Sequence, residues 1–139
     1  MKIDRNKLTA KEFLKLYRSA GWDAPLEEQV EVAIKNSIIT FSINLDDEIV
    51  GMARLIGDKA MTYYIKDFVI SPNHQNKGLG SLLLGEIEKY ILENIDKLWA
   101  VSLELISSNE GINFYKNKGF VECPCDFLGS GMIKMIRKN

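Results

Sequence analysis

Cysteine, proline and histidine are scarce in this chain of 139 residues, which holds two, three and one of them. Cys123 and Cys125 are separated only by Pro124, too close for a relaxed disulfide. The lone histidine, His74, lies far from both, so no zinc ligand set is visible and no metal is expected. Two thiols without partners fit a reducing compartment, and the expected location is cytoplasmic. No apolar run approaches the length of a membrane span, and the opening Met1-Lys2-Ile3-Asp4-Arg5 leads into polar sequence rather than a signal peptide. No membrane partner is expected. A formal net charge of −1 supplies no bulk basic footprint, so no nucleic-acid partner is expected either. Low-complexity stretches, Pro/Gly/Ser-rich linkers and internal repeats are missing as well. One domain over residues 1–139 is the expectation.

What is present is an ordinary globular balance, 46% apolar and 27% charged. Thr9-Ala10-Lys11-Glu12 has the form of a capping box, opening a helix with Phe13, Leu14, Leu16 and Tyr17 on one side and ending before Gly21. A second helix is expected over 26–36. Three strands follow, 37–45, 48–56 and 61–70, with Asp46-Asp47 and Gly57-Asp58-Lys59 as turns. Their short connections predict an antiparallel meander. Leu82, Leu83, Leu84, Ile87, Tyr90 and Ile91 give the helix over 81–94 a broad apolar face. Residues 99–106 read as a buried strand, parallel to the one ending at Ile70 because a helix separates them. A short helix over 109–118, stopped by Gly119, and final strands at 120–123 and 132–136 complete the chain. The class is α/β of the α+β type, with a mixed sheet and flanking helices.

The most informative segment is Ser71-Pro-Asn-His-Gln-Asn-Lys-Gly-Leu-Gly-Ser81. A strand ends there, two glycines appear and a helix begins. Glycines at such a junction let backbone N–H groups approach an anion at the helix N-terminus, and Lys77 adds positive potential. A nucleotide-triphosphate loop requires Gly-Lys-Ser/Thr after its first glycine, whereas Lys77 precedes both glycines here. A dinucleotide fingerprint requires a third glycine, and Leu83 stands at its place. A glycine turn without a ligand is the remaining alternative.

Gln75-Asn76-Lys77-Gly78-Leu79-Gly80 resembles the Gln/Arg-x-x-Gly-x-Gly/Ala signature of the GNAT superfamily of N-acetyltransferases. Val69-Ile70-Ser71-Pro72 resembles that family's strand end ahead of the loop. Asn113-Phe114-Tyr115-Lys116-Asn117-Lys118-Gly119-Phe120 resembles its Phe-Tyr-x-x-x-Gly-Phe segment, and Ile49 to Arg54 resembles a strand of small bacterial members. The order and separation also fit, so the resemblance covers nearly the whole chain.

The resemblance implies a mostly antiparallel central sheet with a splayed parallel strand pair at the cofactor site. It implies acetyl-CoA as cosubstrate and transfer of the acetyl group to a primary amine, on a small molecule or a peptide, by direct attack in a ternary complex. An acetyl-CoA-binding sensor or partner module of the same fold is the alternative. The N–H groups of Gln75, Asn76, Lys77, Gly78, Leu79 and Gly80 would hold the pyrophosphate, with Ser81 adding a hydroxyl. The backbone of Phe68, Val69 and Ile70 would pair with the pantetheine arm as an added strand does. Tyr115 would be the general acid that protonates the departing thiolate. Family members carry a cofactor-contacting asparagine ahead of that tyrosine. Ser108 stands at its place here and Asn109 follows, with helix capping as the competing role. Asp67 lies where some relatives contact the acceptor amine, so it is a catalytic candidate, with an ion pair to Lys66 or Arg54 as the alternative. Glu104 is a weaker candidate. Tyr17 and Trp22, with Asp23 nearby, are candidates to line the acceptor pocket, an aromatic with a nearby carboxylate suiting an amine, with Trp22 anchoring a loop on the core as the alternative. Covalent catalysis by Cys123 or Cys125 is not expected, and His74 reads as structural. Many relatives are dimers, so a homodimer is compatible with the resemblance.

Overall fold

The computed structural model describes residues 1–138 and divides into two compact units, residues 1–104 and residues 105 onward. The first unit holds a five-stranded sheet in the order β1-β2-β3-β4-β5. Its elements run β1 (Lys2–Arg5), α1 (Ala10–Ser19), α2 (Glu27–Lys35), β2 (Ile39–Leu45), β3 (Glu48–Gly57), β4 (Thr62–Ile70), α3 (Leu79–Asn94) and β5 (Ser102–Glu104). The first four strands pair antiparallel and β4–β5 is parallel. The meander and the parallel step are as the sequence predicts.

Local chemistry sets the boundaries. The capping box forms: Glu12 N–H donates to Thr9 Oγ1 at 3.2 Å, and Thr9 N–H donates to Glu12 Oε1 at 2.9 Å. The β2–β3 turn places Asp46 and Asp47 at φ +50° and +63°, the left-handed pair a tight two-residue hairpin requires. In the β3–β4 turn, Asp58 Oδ1 accepts from the N–H groups of Ala60, Met61 and Thr62 at 2.8–3.0 Å.

Helices cover both faces of the sheet. On one, Phe13, Leu14 and Leu16 of α1 and Val30 of α2 pack with Met52 of β3 and Val69 of β4. On the other, α3 buries Leu83, Leu84, Ile87 and Ile91, and its Tyr90 meets Phe41 of β2 edge-on at 6.2 Å. Burial on both sides removes the usual alternation from β2, whose residues 39–43 are all buried. Thr40 and Ser42 are among them, and their hydroxyls have no hydrogen-bond partner.

Strand β1 has no counterpart in the sequence reading. Lys2-Ile3-Asp4-Arg5 is short and charged, as edge strands are. What fixes it is tertiary: Arg5 bonds Glu86 at 2.8 Å and Glu93 at 3.2 Å on α3, and its guanidinium lies 5.5 Å from the Tyr90 ring centre.

Three expectations need correction. The buried strand over 99–106 shrinks to Ser102–Glu104, because β5 registers only with Thr62, Tyr63 and Tyr64. Trp99 lies in a turn, its N–H donating to Asp96 C=O. The strands at 120–123 and 132–136 are absent among the described residues, where the second unit has only an isolated bridge between Cys125 and Leu128. Their apolar residues find no neighbouring strand, and Met132 and Ile136 are 90% and 87% exposed. An alternating pattern supplies a face but not a partner. The helix over 109–118 becomes a 3-10 turn at Asn109–Gly111 followed by α4 (Ile112–Asn117).

Candidate functional site

The segment from Ile70 to Ser81 is built from backbone. Ser71 N–H donates to Val50 C=O at 2.7 Å and fixes the end of β4. A 3-10 turn at Pro72–His74 follows. Gln75 turns its side chain back, Nε2 donating to Ile70 C=O at 3.0 Å, so its amide braces the strand end. Asn76 and Gly78 take φ +61° and +80°, and Gly78 is the N-cap of α3, with no side chain capping the helix. The first-turn N–H groups, those of Leu79, Gly80 and Ser81, are left without intrahelical acceptors by helical geometry. No heavy atom lies within 4 Å of the place a Cβ on Gly78 would occupy. An uncapped helix start of this kind has the chemistry to seat an anion. Lys77 is exposed beside it. His74 keeps its Nδ1 buried and without a partner.

The neighbouring stretch of β4 extends past its ladder with β5. The parallel ladder stops at Tyr64↔Glu104 while β4 runs on to Ile70. On its β3 side, Ile70 and Val69 register with Gly51 and Met52, and the next registered pair is Lys66↔Arg54. Asp67 and Phe68 therefore face the single residue Ala53, which is a β-bulge. Asp67 carries the strain of it at φ +56°.

Asp67 aims its carboxylate at Arg54, not Lys66: Arg54 Nε donates to Oδ2 at 2.7 Å, with side chains 14% and 10% exposed. Arg54 Nη1 also donates to Ser37 Oγ at 3.1 Å and to Ala33 C=O at 3.4 Å, joining the end of α2 to the bulge. Tyr17 belongs to the same neighbourhood. Burial pushes its phenol pKa up, the Asp67 charge adds to the rise and the Arg54 charge opposes it. Its ring stacks on Phe13 at 5.3 Å and meets Trp22 edge-on at 5.0 Å. Arg54, which the sequence reading treated only as a counter-ion, thus binds Asp67 directly, Tyr17 feels both charges, and Trp22 joins through its edge contact with Tyr17. Glu104 is turned toward Ser102, whose Oγ donates to it at 2.7 Å.

The second unit holds the two remaining candidates. Asn109 is exposed and opens the 3-10 turn, and no side-chain cap closes that turn or α4. Tyr115 is half-buried on α4, in edge contact with Phe114 at 5.1 Å and Phe120 at 5.6 Å. Burial pushes its pKa up to about 12, so the phenol keeps its proton at neutral pH. Cys123 and Cys125 form no disulfide. No group of three or more His, Cys, Asp or Glu side chains among the described residues could hold a metal, and no described helix is long and apolar enough to cross a membrane.

The sequence pattern of the family described as acetyltransferase (GNAT) domain matches residues 36–122. The chain belongs to the GNAT acetyltransferase family. The matched span starts before β2 and ends beyond α4, so it includes both the loop and the Tyr115 segment. An uncharacterized N-acetyltransferase ycf52 of Gracilaria tenuistipitata var. liui is 34% identical over 79% of the chain. A homologue with the same description from Pyropia yezoensis is 28% identical over 81%. The chain spans 60% and 65% of the lengths of these two relatives. Among solved structures, a probable acetyltransferase of Staphylococcus aureus superposes with a TM-score of 0.84 at 27% identity, covering 96% of this chain and 98% of its own. A GNAT family protein of Streptococcus pneumoniae superposes with a TM-score of 0.76 at 26% identity, covering 99% and 98%.

Proposed function

We propose that this GNAT acetyltransferase uses acetyl-CoA as cosubstrate and acetylates a primary amine by direct attack. The observation that carries the reading is the uncapped start of α3 beside the stretch of β4 that runs on past its ladder with β5. The helix start suits a pyrophosphate, held by the N–H groups from Gln75 to Gly80 with Ser81 beside them. Strand backbone at Phe68, Val69 and Ile70, beyond the last registered β4–β5 pair, suits an arm carrying amides. The neutral amine nitrogen attacks the thioester carbonyl carbon, the C–S bond breaks, and the sulfur leaves as thiolate. Tyr115, its proton retained up to high pH, is assigned to protonate that sulfur, and the proton lost by nitrogen passes to solvent. The Tyr115 assignment rests on its motif, and that of Asn109 to the cofactor on its neighbourhood to the same motif. Asp67 is assigned to the acceptor amine, with Tyr17 and Trp22 as the pocket wall.

Two measurements test this reading in sequence. Thermal unfolding with coenzyme A reports binding: at a hundredfold excess over Kd the folded state gains about 2.7 kcal/mol. A chain that shows no shift at millimolar coenzyme A does not use this cosubstrate. Release of free thiol across an amine panel then separates catalysis from mere binding. A shift without thiol release on any amine favours the sensor alternative.

A further inference from the structure

The Arg54–Asp67 pair bears on which amine is taken. Asp67 spends one oxygen on Arg54 Nε, and Arg54 spends Nη1 on Ser37 and Ala33. Among the described residues, Asp67 Oδ1 and Arg54 Nη2 take part in no hydrogen bond, and neither is one of the sealed, unpartnered polar atoms of the molecule. A ligand reaching the bulge therefore meets one anionic acceptor and one cationic donor side by side, not a bare carboxylate. Tyr17, edge-on to Trp22, is close enough to feel both charges.

Such a pair is a poor counter-charge for a plain alkylammonium, because the guanidinium cancels most of the attraction. It complements a group that carries both signs or both polarities: an ammonium with an oxygen one carbon away. The chemistry of attack points the same way. The amine must be neutral to react, and about a quarter of an α-amine beside an amide carbonyl, as at a peptide N-terminus, but only about a thousandth of an alkylamine is neutral at pH 7.4, given their ordinary pKa values. A site whose carboxylate is already engaged by an arginine suits the amine that needs less help in losing its proton.

We propose that Asp67 and Arg54 select an α-amino acceptor, with Asp67 Oδ1 receiving the amine and Arg54 Nη2 donating to the carbonyl or carboxylate oxygen beside it. The acceptor class is a free amino acid, an amino-acid amide or a peptide N-terminus. The inference rests on the acetyl-transfer reading and adds the acceptor to it.

The test uses the intact chain with acetyl-CoA and four acceptors: alanine, alaninamide, isopropylamine and spermidine. Thiol release gives kcat/KM for each, expressed per neutral amine so that pKa differences drop out. The expected result is that alanine or alaninamide exceeds isopropylamine and spermidine by at least tenfold. Alanine in front identifies a carboxylate partner; alaninamide in front identifies a carbonyl, as at a peptide N-terminus. Arg54→Lys keeps the charge but loses the fork, and is expected to bring the ratio of alaninamide to isopropylamine toward one. Equal or better turnover of isopropylamine or spermidine by the native chain overturns the α-amino assignment and leaves acetyl transfer standing. So does a coenzyme A thermal shift without turnover of alanine or alaninamide. No coenzyme A shift at all overturns acetyl transfer itself, which separates the two failures.

Discussion

The two ends of the proposed site are made of different material. The loop from Ile70 to Ser81 is backbone: left-handed residues at Asn76 and Gly78, a strand end tied to Val50, and helix N–H groups facing outward. The neighbourhood of Asp67 is side chain. Arg54 from β3 ties Asp67 from β4 to Ser37 from beyond α2, and Tyr17 of α1, edge-on to Trp22, feels both charges. On the proposed reading, a backbone cradle recognises what every acetyl donor has in common. A side-chain cluster drawn from several elements can be rewritten residue by residue, and recognises what differs. The shared and the specific parts of the reaction are thereby kept on separate physical footings.

The difference can be broken deliberately. The largest expected effect is on Arg54→Ala. It leaves Asp67 without its cation in a setting only a tenth exposed, and should cost about 3 kcal/mol of folding stability by urea unfolding. A cost below about 1 kcal/mol would mean that the pair behaves as a surface ion pair does. Next, Tyr115→Phe should lower kcat about a hundredfold while the coenzyme A thermal shift survives, since it belongs to neither end. The same variant has a signature in pH. Tyr115 in the native chain titrates near 12, above the ordinary phenol value near 10. Between those values the unfolded chain has lost its proton and the native chain has kept it. Native stability therefore falls as pH rises through that window, and urea titrations at pH 9 and 11 should show a smaller fall for Tyr115→Phe.

Smaller still is Gly78→Val. A β-branched residue at φ +80° strains the turn, and its bulk enters the open space before the helix. Acetyl-CoA affinity should drop at least tenfold, about 1.4 kcal/mol, with the amine KM unmoved. An amine KM that rises in step would show that the two ends are one. The mildest is Trp22→Ala. Losing the edge contact with Tyr17 should raise the amine KM several-fold, of order 1 kcal/mol, without touching the coenzyme A shift.

The same division decides what the sequence made legible. The loop is local: its glycines, its strand and its helix are contiguous, so their spacing alone announced a strand, a left-handed turn and an uncapped helix start. The meander was legible because Asp46-Asp47 and Asp58 carry their turn chemistry in their own identities. The Arg54–Asp67 pairing was visible only as one of two options, since choosing Arg54 over Lys66 requires the bulge that swings Asp67 round. Strand β1 was invisible, because Lys2-Ile3-Asp4-Arg5 has no apolar stripe and is held by carboxylates on α3, more than eighty residues away. Residues 120–123 and 132–136 failed in the opposite direction. Their composition suits strands, yet strand formation depends on a neighbour that composition cannot supply.

The middle of β2 has a practical consequence. Thr40 and Ser42 are 1% exposed, and their hydroxyls gave up water without finding another partner. An unsatisfied buried hydroxyl costs about 1–3 kcal/mol, whereas an apolar group of the same shape costs nothing of that kind. The sheet centre is thus a reserve of thermal tolerance waiting to be drawn on. Thr40→Val with Ser42→Ala offers a way to harden the scaffold before either end is redesigned for a new acceptor.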